Sequence, residues 1–340
     1  MFLQVLLEKL SLYTCAAIFL GYLIPHLFLS LFRTKNLKKA YKAEWALVTG
    51  SSSGIGLSLA KRLASQGLSV VLVALDDDLL EGAYSDLTAS YPDVEFRKVG
   101  VNLGSRGYLP KIAEATADID VQCCFLNAGY MVTGFFENHN LDKHMANLEV
   151  NTVSAVQITH HFLQRLLESK KPGCFVYTSS AAAAIPSPYS VMYASTKSFI
   201  SSFGASLAAE VRSEGIDVCV VHPSPVATRF YDNAHKLGAL EFFKKMAVGP
   251  DELPDVIFAS IGKVRMRTCP ARPETLAHSG SLDCLQVIWR DIGPTAVGFR
   301  LLMKILDYNL FATIIALTAR FTDDFKKYGR AKTPARAKDT

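Results

Sequence analysis

The sequence is short of the residue patterns that mark metal-binding and disulfide-stabilised proteins. Its seven cysteines include no C-x-x-C pair, and its eight histidines include no H-x-x-x-H pair. These spacings predict no metal site. An odd number of cysteines without the spacing of a disulfide framework also favours a reducing compartment.

The sequence also has no strong excess of positive or negative charge and no internal repeats. The net charge is only +5, and the basic residues concentrate at the two ends, which argues against a nucleic-acid partner. No internal repeat or low-complexity tract occurs. A chain of 340 residues, 50% hydrophobic, can bury one large core, so we expect one main domain with appendages.

Apolar runs alternate with helical patterns through the middle of the chain. Trp45–Thr49, Ser69–Ala74 and the run from Cys174 to Ser180 have the composition of buried strands. This alternation predicts an α/β fold with a Rossmann-type, doubly wound parallel sheet. We expect a membrane anchor and basic juxtamembrane segment over residues 1–42, the Rossmann domain with its lid over 43–260, and a C-terminal extension with an amphipathic helix and a basic tail over 261–340.

A glycine-rich turn follows the first predicted strand. Strand, glycine turn and helix is the order that dinucleotide binding requires, although the spacing here is G-x-x-x-G-x-G. Glycines let the backbone approach a pyrophosphate, and the helix N-terminus supplies N–H donors and partial positive charge. The turn predicts a cofactor site formed by Gly50, Ser52, Ser53, Gly54, Ile55 and Gly56.

Tyr193 and Lys197 lie four residues apart in a predicted helix that runs to about Arg212. Residues at this spacing share one helix face. A nearby cation lowers the pKa of a phenol, so we expect Lys197 to bring Tyr193 towards the range useful for proton transfer. Ser180 ends a predicted strand, and that end faces the ligand crevice of an open α/β sheet.

Five motifs occur in a fixed order, namely Thr49-Gly50-x-x-x-Gly54-x-Gly56, Asn127-Ala128-Gly129, Asn151, Ser180 and Tyr193-x-x-x-Lys197. Over roughly residues 43–235 they resemble the motifs of the short-chain dehydrogenase/reductase family. Within it, the opening from Glu44 to Gly50 and the apolar N-terminus look most like membrane-bound very-long-chain 3-oxoacyl-CoA reductases and 17β-hydroxysteroid dehydrogenases.

The resemblance implies a role for each catalytic candidate. Tyr193 would be the general acid in carbonyl reduction, and Lys197 would lower its pKa and hold the nicotinamide ribose. Ser180 would bind the substrate oxygen, and Asn151 would support a water chain to Lys197. The cofactor itself carries the hydride.

The resemblance also extends the cofactor site. It implies contacts from Asn127, Ala128 and Gly129 beside the fourth strand, from Asn102 near the adenine, and from Val226 and Thr228 at the nicotinamide carboxamide. Asn102 stands where the family commonly has Asp, and Ser224 stands where it often has Gly.

Cofactor choice is ambiguous in the sequence. The acid that favours NAD and the arginine that favours NADP map to Ala74 and Leu75, so neither marker is present. Asp76 to Asp78 follow, and they either repel a 2′-phosphate or let Asp76 bind the ribose. The family neighbours imply NADPH and the local charges favour NAD(H); we expect NADP(H).

The N-terminal segment has the composition of a membrane helix. Leu10 to Phe32 carries no formal charge and exceeds the about 20 residues that span a bilayer. Pro25 can kink it. The basic residues from Arg33 to Lys42 predict an uncleaved anchor with the main domain in the cytosol. We expect the membrane to be that of the endoplasmic reticulum. A cleaved signal peptide and a hairpin bent at Pro25 are the alternatives.

Two further apolar stretches lie after residue 229. Phe230 to Met246 corresponds to the family's variable substrate lid. Phe299 to Leu317 is interrupted by charges, so we expect an amphipathic helix that lies on the membrane or closes the site. A second membrane span is the alternative. The basic tail from Phe325 to Thr340 faintly resembles an endoplasmic-reticulum retrieval signal.

Together these features lead to one expected function and two alternatives. We expect a membrane-bound oxidoreductase that reduces a ketone on a lipid, whether a 3-oxoacyl-CoA, a sphingoid or a steroid. The alternatives are a dehydrogenase that oxidises a steroid or retinoid alcohol with NAD, and a non-catalytic, membrane-tethered, cofactor-binding scaffold. The expected partners are an apolar small molecule, the membrane and a second copy of the chain.

Overall fold

A computed structural model describes residues 2–29, 34–232, 234–235, 237–262 and 288–328. Several predictions fall outside these residues. They are the end of the predicted anchor from Ser30 to Phe32, the first basic residue Arg33, and the tail beyond Tyr328.

Seven strands of the described chain form one parallel sheet. They are β1 (Trp45–Thr49), β2 (Ser69–Ala74), β3 (Phe96–Gly100), β4 (Val121–Leu126), β5 (Gly173–Thr178), β6 (Ile216–Pro223) and β7 (Trp289–Ile292). Their order is β3-β2-β1-β4-β5-β6-β7. The winding reverses between β1 and β4, the point where doubly wound sheets bind ligands. The Rossmann-type prediction is confirmed.

Helices cover both faces of this sheet and extend the chain at each end. They are α1 (Phe2–Ile18), α2 (Ile24–Leu29), α3 (Leu37–Tyr41), α4 (Gly54–Ser65), α5 (Asp78–Ser90), α6 (Tyr108–Ala115), α7 (Leu141–Leu148), α8 (Ser154–Ser169), α9 (Val191–Val211), α10 (Gly238–Lys244), α11 (Leu253–Ser260), α12 (Pro294–Ile305), α13 (Tyr308–Thr318) and α14 (Asp323–Tyr328).

The core lies in two layers, one on each face of the sheet. Every residue of β1 is buried, which is why the strand is a continuous apolar run. Ala46 packs with α4 and α11 on one face, and Leu47 packs with α8 and α9 on the other. This double burial fixes the strands whose carboxyl ends form the site.

The sheet does not end at residue 260, where the predicted Rossmann domain ends. β7 lies beyond that boundary and pairs with β6 from Val220 to Pro223. Its four residues include Arg290 and Asp291, both of which are buried. Only two of its four residues, Trp289 and Ile292, are apolar, so the apolar pattern of the sequence does not predict this strand.

The prediction of a single amphipathic helix over Phe299 to Leu317 is wrong. The segment forms α12 and α13, which meet at 111°. Asp307 lies at the bend, and its carboxylate accepts hydrogen bonds from the backbone N–H groups of Asn309 and Leu310 at 2.9 and 3.1 Å. A helix-capping aspartate starts a new helix here because it satisfies N–H groups that a continuous helix would bond internally.

The N-terminal segment is helical and apolar, as predicted. Gln4–Leu29, 26 residues, is long and apolar enough to cross a membrane, and it is a candidate anchor. Pro25 does not break the helix. A wider π-helical turn over Phe19–Leu23 precedes it and accommodates the ring and the missing N–H of the proline.

Candidate active site

A cavity of about 910 Å³ opens at the carboxyl ends of β1, β4 and β5. Its walls combine the glycine turn, the start of α9 and the apolar residues of the C-terminal helices. The sheet therefore places most of the predicted cofactor and catalytic residues around one space, whereas Gly56, Asp76 and Asn151 do not line it.

The glycine turn has the geometry of a pyrophosphate cradle. Gly50 and Gly54 have positive φ angles of 66° and 54°, a region that glycine enters without strain. A β-carbon at Gly56 would lie 2.0 Å from the carbonyl oxygen of Gly50, so only glycine fits there. Gly54 begins α4 and turns the first N–H groups of that helix towards the space. These residues fit a dinucleotide.

Thr49 holds the turn against the segment after β4. Its hydroxyl accepts hydrogen bonds from the backbone N–H groups of Asn127 and Ala128 at 2.9 and 3.0 Å. The side-chain amide of Asn127 donates to the carbonyl of Thr49 at 3.3 Å. Asn127, Ala128 and Gly129 all line the cavity.

At the predicted ribose end of the cavity, Asp76 and Asp77 occupy different positions. Asp77 lines the cavity and caps α5 by accepting from the N–H of Leu80 at 3.1 Å. Asp76 instead lies against Gly100, where a β-carbon would come within 2.6 Å of the Asp76 carboxyl group. Among the described residues, Asp77 lines this cavity and Asp76 does not. The sequence could not distinguish these adjacent aspartates.

Asn102 and the residues expected at the carboxamide also line the cavity. The side-chain oxygen of Asn102 accepts from the N–H of Gly104 at 2.8 Å, which fixes the loop after β3. Thr228 packs against the glycine turn, since its methyl group lies 2.9 Å from where a β-carbon of Gly54 would be. Val226 pairs with Val248 in an isolated parallel bridge.

Asn151 lies in a π-helical turn over Glu149–Val153 between α7 and α8. Such turns commonly mark functional sites because they displace one side chain from the regular helix. The Asn151 amide oxygen accepts from the N–H of Tyr130 at 3.0 Å, and its NH₂ group donates to the Thr196 hydroxyl at 3.0 Å. The side chain is thus held at both ends. Neither Tyr130 nor Thr196 carried a sequence signal.

Tyr193 and Lys197 lie on α9, which confirms the predicted helix. Lys197 is buried, and its ammonium donates to the carbonyl of Thr178 at 2.8 Å. Burial lowers the pKa of Lys197 to about 8. The ammonium lies 5.7 Å from the centre of the Tyr193 ring.

In this structure the pKa of Tyr193 lies above its ordinary value, whereas the approach of Lys197 alone would lower it. The surrounding protein raises the pKa of Tyr193 to about 12, and a hydrogen bond with Ser180 offsets only part of that rise. Desolvation dominates because the phenolate would lie in a largely apolar wall. A phenol with a raised pKa stays protonated at neutral pH, as a proton donor must.

Ser224, a departure from the usual family glycine, joins β6 to α12. Its backbone N–H donates to the carbonyl of Ile292 at 2.7 Å, and its hydroxyl accepts from the N–H of Ala296 at 3.0 Å. The serine therefore links the edge of the site to the C-terminal extension. The sequence showed the departure but gave no partner for the hydroxyl.

The family description short chain dehydrogenase matches residues 44–237, more than half of the chain. The chain belongs to the short-chain dehydrogenase family. The resemblance to this family is therefore confirmed.

The names of several relatives describe enzymes of lipid or steroid substrates. The chain is 32% identical to the very-long-chain 3-oxoacyl-CoA reductase-B of Danio rerio over 199 residues, 57% of this chain and 63% of that protein. It is 33% identical to the human very-long-chain 3-oxoacyl-CoA reductase over 192 residues, 55% of this chain and 60% of that protein. Hydroxysteroid dehydrogenase-like protein 1 of Gallus gallus is 29% identical, over 61% of this chain and 63% of that protein. The match thus spans about three fifths of each relative.

Solved structures share the fold. A 7β-hydroxysteroid dehydrogenase superposes with a TM-score of 0.66 at 20% identity, over 83% of this chain and 100% of that chain. A short-chain dehydrogenase from Sphingobium yanoikuyae in complex with NADPH gives 0.57 at 25% identity, over 62% and 81%.

Proposed function

We propose that this chain is a membrane-bound reductase of a lipid ketone, with a 3-oxoacyl-CoA as the leading substrate and sphingoid or steroid ketones next. One observation carries this proposal. The cavity beside Tyr193 is lined by the apolar side chains Phe230, Leu240, Phe243, Phe299 and Phe311. An apolar wall of this size suits an acyl chain or a steroid and disfavours a small polar ketone.

Each catalytic residue has a distinct task in the proposed reaction. The nicotinamide cofactor supplies the hydride. Tyr193 gives its proton to the substrate oxygen, and the Ser180 hydroxyl hydrogen-bonds both that oxygen and the phenol. Lys197 holds positive charge beside the site, and Asn151 orders the polar chain that returns a proton to it.

The cofactor would lie along the glycine turn. Gly50, Gly54 and Gly56 clear a path for the pyrophosphate, while Asn127 and Thr228 border the turn on either side. Ala74 and Leu75 line the same cavity without a carboxylate of their own. We propose NADP(H) as the preferred cofactor, as in the Sphingobium yanoikuyae complex.

A second candidate is oxidation of a steroid or retinoid alcohol with NAD. Asp77, whose carboxylate borders the ribose end, favours it. A fixed negative charge there would repel a 2′-phosphate and accept a ribose hydroxyl instead. The two candidates therefore differ in one measurable property, the ratio of NADPH to NADH use.

The membrane setting is proposed on the N-terminal helix. We place Gln4–Leu29 across the endoplasmic-reticulum membrane once, with the Rossmann domain in the cytosol, because the basic residues follow the apolar run. Residues 1–42 then form the anchor unit. We also propose a homodimer that forms through the helices that carry Asn151 and Tyr193.

The experiment is a substrate and cofactor panel on the full chain in detergent micelles. Long-chain 3-oxoacyl-CoA, 3-ketosphinganine and a ketosteroid are each supplied with NADPH or NADH. Turnover of the acyl-CoA with NADPH supports the leading proposal. A steroid alcohol and a retinoid alcohol are supplied with NAD in parallel. Turnover of an alcohol with NAD and of no ketone supports the second candidate, and cofactor binding without turnover of any substrate favours the scaffold.

A further inference from the structure

Helix α13 carries large apolar residues on two neighbouring faces. Phe311 and Ile315, four residues apart, line the active-site cavity. Leu310, Ile314 and Leu317 form the second face, which we call the outer side, where Leu317 is 58% exposed. The apolar face of a helix normally packs against protein or lies in a membrane. The inner face of α13 packs at the cavity, whereas the outer face is exposed.

More exposed apolar residues lie close to Leu310, Ile314 and Leu317 in the chain. Ile305 and Tyr308 at the bend, and Phe321 after the helix, are also exposed. We call the outer residues of α13 together with these three the outer patch. Contiguous apolar patches of this kind mark an interaction with a membrane or a protein.

The candidate anchor attaches beside this patch. The Tyr22 hydroxyl donates to the Asp291 carboxylate of β7 at 2.8 Å, and Arg290 donates to the carbonyl of His26 at 3.2 Å. The ammonium of Lys304, on α12, lies 5.7 Å from the centre of the Tyr22 ring. The last turns of the N-terminal helix are thus docked on β7 and α12.

This docking determines where a bilayer would lie. The part of the apolar helix that precedes Tyr22, residues 4–21, has 18 residues, within the range of about 17–25 residues that can span the hydrocarbon core. Glu8 and Lys9 lie in its first two turns, near the far surface of the bilayer. The turns from Tyr22 onward can therefore remain in contact with β7 and α12 while the preceding turns cross. The bilayer surface would then lie next to α12, and α13 follows α12 directly.

The C-terminal segment after α13 holds that helix over the cavity. The Asp324 carboxylate accepts from the N–H of Gly238 at the start of α10 at 3.0 Å. The rings of Phe325 and Phe135 lie 5.5 Å apart, and the Tyr189 hydroxyl donates to the carbonyl of Ala319 at 3.3 Å. These contacts hold the carboxyl end of α13, and the short bend at Asp307 joins its other end to α12.

We propose that the outer patch is seated in the surface of a phospholipid bilayer, so that α13 separates the lipid from the cavity and a lipid ketone passes beside it into the site. Only the second part of the inference, the entry of a lipid ketone beside α13, rests on the proposed function. The seating of the patch stands on the docked anchor. A bilayer is favoured over a second copy of the chain because the candidate span emerges beside the patch.

The first test measures depth in the membrane. Ile314→Cys and Ala89→Cys are made in the full chain with Cys15, Cys269 and Cys284 replaced by serine, labelled with bimane and reconstituted in phosphatidylcholine vesicles. Both parent residues are exposed, and Ala89 lies near the end of α5, away from the helices of the proposed homodimer. Nitroxide-labelled phosphatidylcholine should quench the label at position 314, and iodide should quench the label at 89.

Quenching of position 314 by iodide alone would overturn the seating, and so would protection from both quenchers, which indicates a protein partner. This readout needs no catalysis. It therefore remains decisive even if the chain turns over no ketone.

The second test measures entry of substrate. Leu317→Asp should raise the KM for a vesicle-borne long-chain ketone several-fold and leave kcat unchanged, because a charge on the outer patch lifts α13 from the lipid. Ala89→Asp, at an exposed position of α5, is the control and should change neither. The KM of a water-soluble short-chain ketone should also stay constant in Leu317→Asp. An equal effect on both ketones would contradict entry from the bilayer while leaving the lipid-ketone function in place.

Discussion

Asn151 and Lys197 converge on Gly129. A β-carbon at Gly129 would lie 3.0 Å from the Asn151 side-chain oxygen and 3.2 Å from the Lys197 ammonium nitrogen. The two polar groups arrive from a π-helical turn and from α9, and they approach each other only because no side chain separates them. The Asn-Ala-Gly motif after β4 is thereby part of the catalytic geometry as well as of the cofactor wall.

Gly129→Ala should therefore impair catalysis without unfolding the chain. The added methyl group has to displace Asn151 or Lys197 by a few tenths of an ångström, and we expect kcat/KM to fall about tenfold or more, which is about 1.4 kcal/mol. Gly82→Ala is the control, because a β-carbon there meets nothing within 4 Å inside α5. It should retain activity. Unchanged kcat/KM in Gly129→Ala would contradict the tight approach.

Tyr193→Phe should leave the fold intact and lower kcat/KM by about 10²–10⁴-fold, the usual contribution of a general acid. The ring keeps its packing against Phe230, whose centre lies 5.7 Å away. Steady-state kinetics and a thermal melt measure the two effects. Near-normal turnover would show that another group protonates the substrate.

The rate of reduction should depend on the protonation of Lys197. The pKa of this group is lowered to about 8 by burial, so its positive charge is complete at lower pH and is lost as pH rises through that value. We expect kcat/KM for reduction to be constant below the pKa and to fall above it. Lys197→Arg, which stays charged, should remove the falling limb and keep a residual rate. A limb at the same position in the arginine variant would assign it to a different group.

Lys197→Met should stabilise the protein while abolishing turnover. Because the pKa falls from 10.5 to about 8 on folding, the unfolded chain binds more protons, and the charge destabilises the fold below the folded pKa. Removing it should gain up to about 3 kcal/mol near neutrality, less the lost hydrogen bond to Thr178. Denaturant titrations at several pH values should show the gain shrinking as pH rises from 8 towards 10.5. A constant gain at all pH values would contradict the charge-burial explanation.

The sequence predicted the strands that are buried on both faces. Trp45–Thr49 and Ser69–Ala74 match β1 and β2 residue for residue, since double burial requires an uninterrupted apolar run. β7 was missed because its short segment carries Arg290 and Asp291, whose partners, Tyr22 among them, are distant in sequence. When the partners of a buried charged residue are distant in the chain, the sequence around it resembles a loop.

Site residues that belong to a sequence motif could be predicted. The position or pKa of a residue was harder to predict where it depends on packing against residues that are distant in the chain. The cavity brings together the glycine turn, Asn127, Tyr193 and Lys197, in agreement with the expected spacing. The choice between Asp76 and Asp77 depends on which one meets Gly100. The pKa of Tyr193 depends on desolvation by the surrounding fold, which sequence spacing does not measure.

The central claim is that Tyr193 and a nicotinamide cofactor reduce a lipid ketone in this cavity. The most direct measurement supplies the reconstituted full chain with NADPH deuterated at the transferable position and a long-chain 3-oxoacyl-CoA, and analyses the product by mass spectrometry. The account predicts one deuterium on carbon 3 of the 3-hydroxyacyl product with the wild-type chain, and about 10²–10⁴-fold less product with Tyr193→Phe. Unlabelled product, or equal yield from both chains, would contradict it.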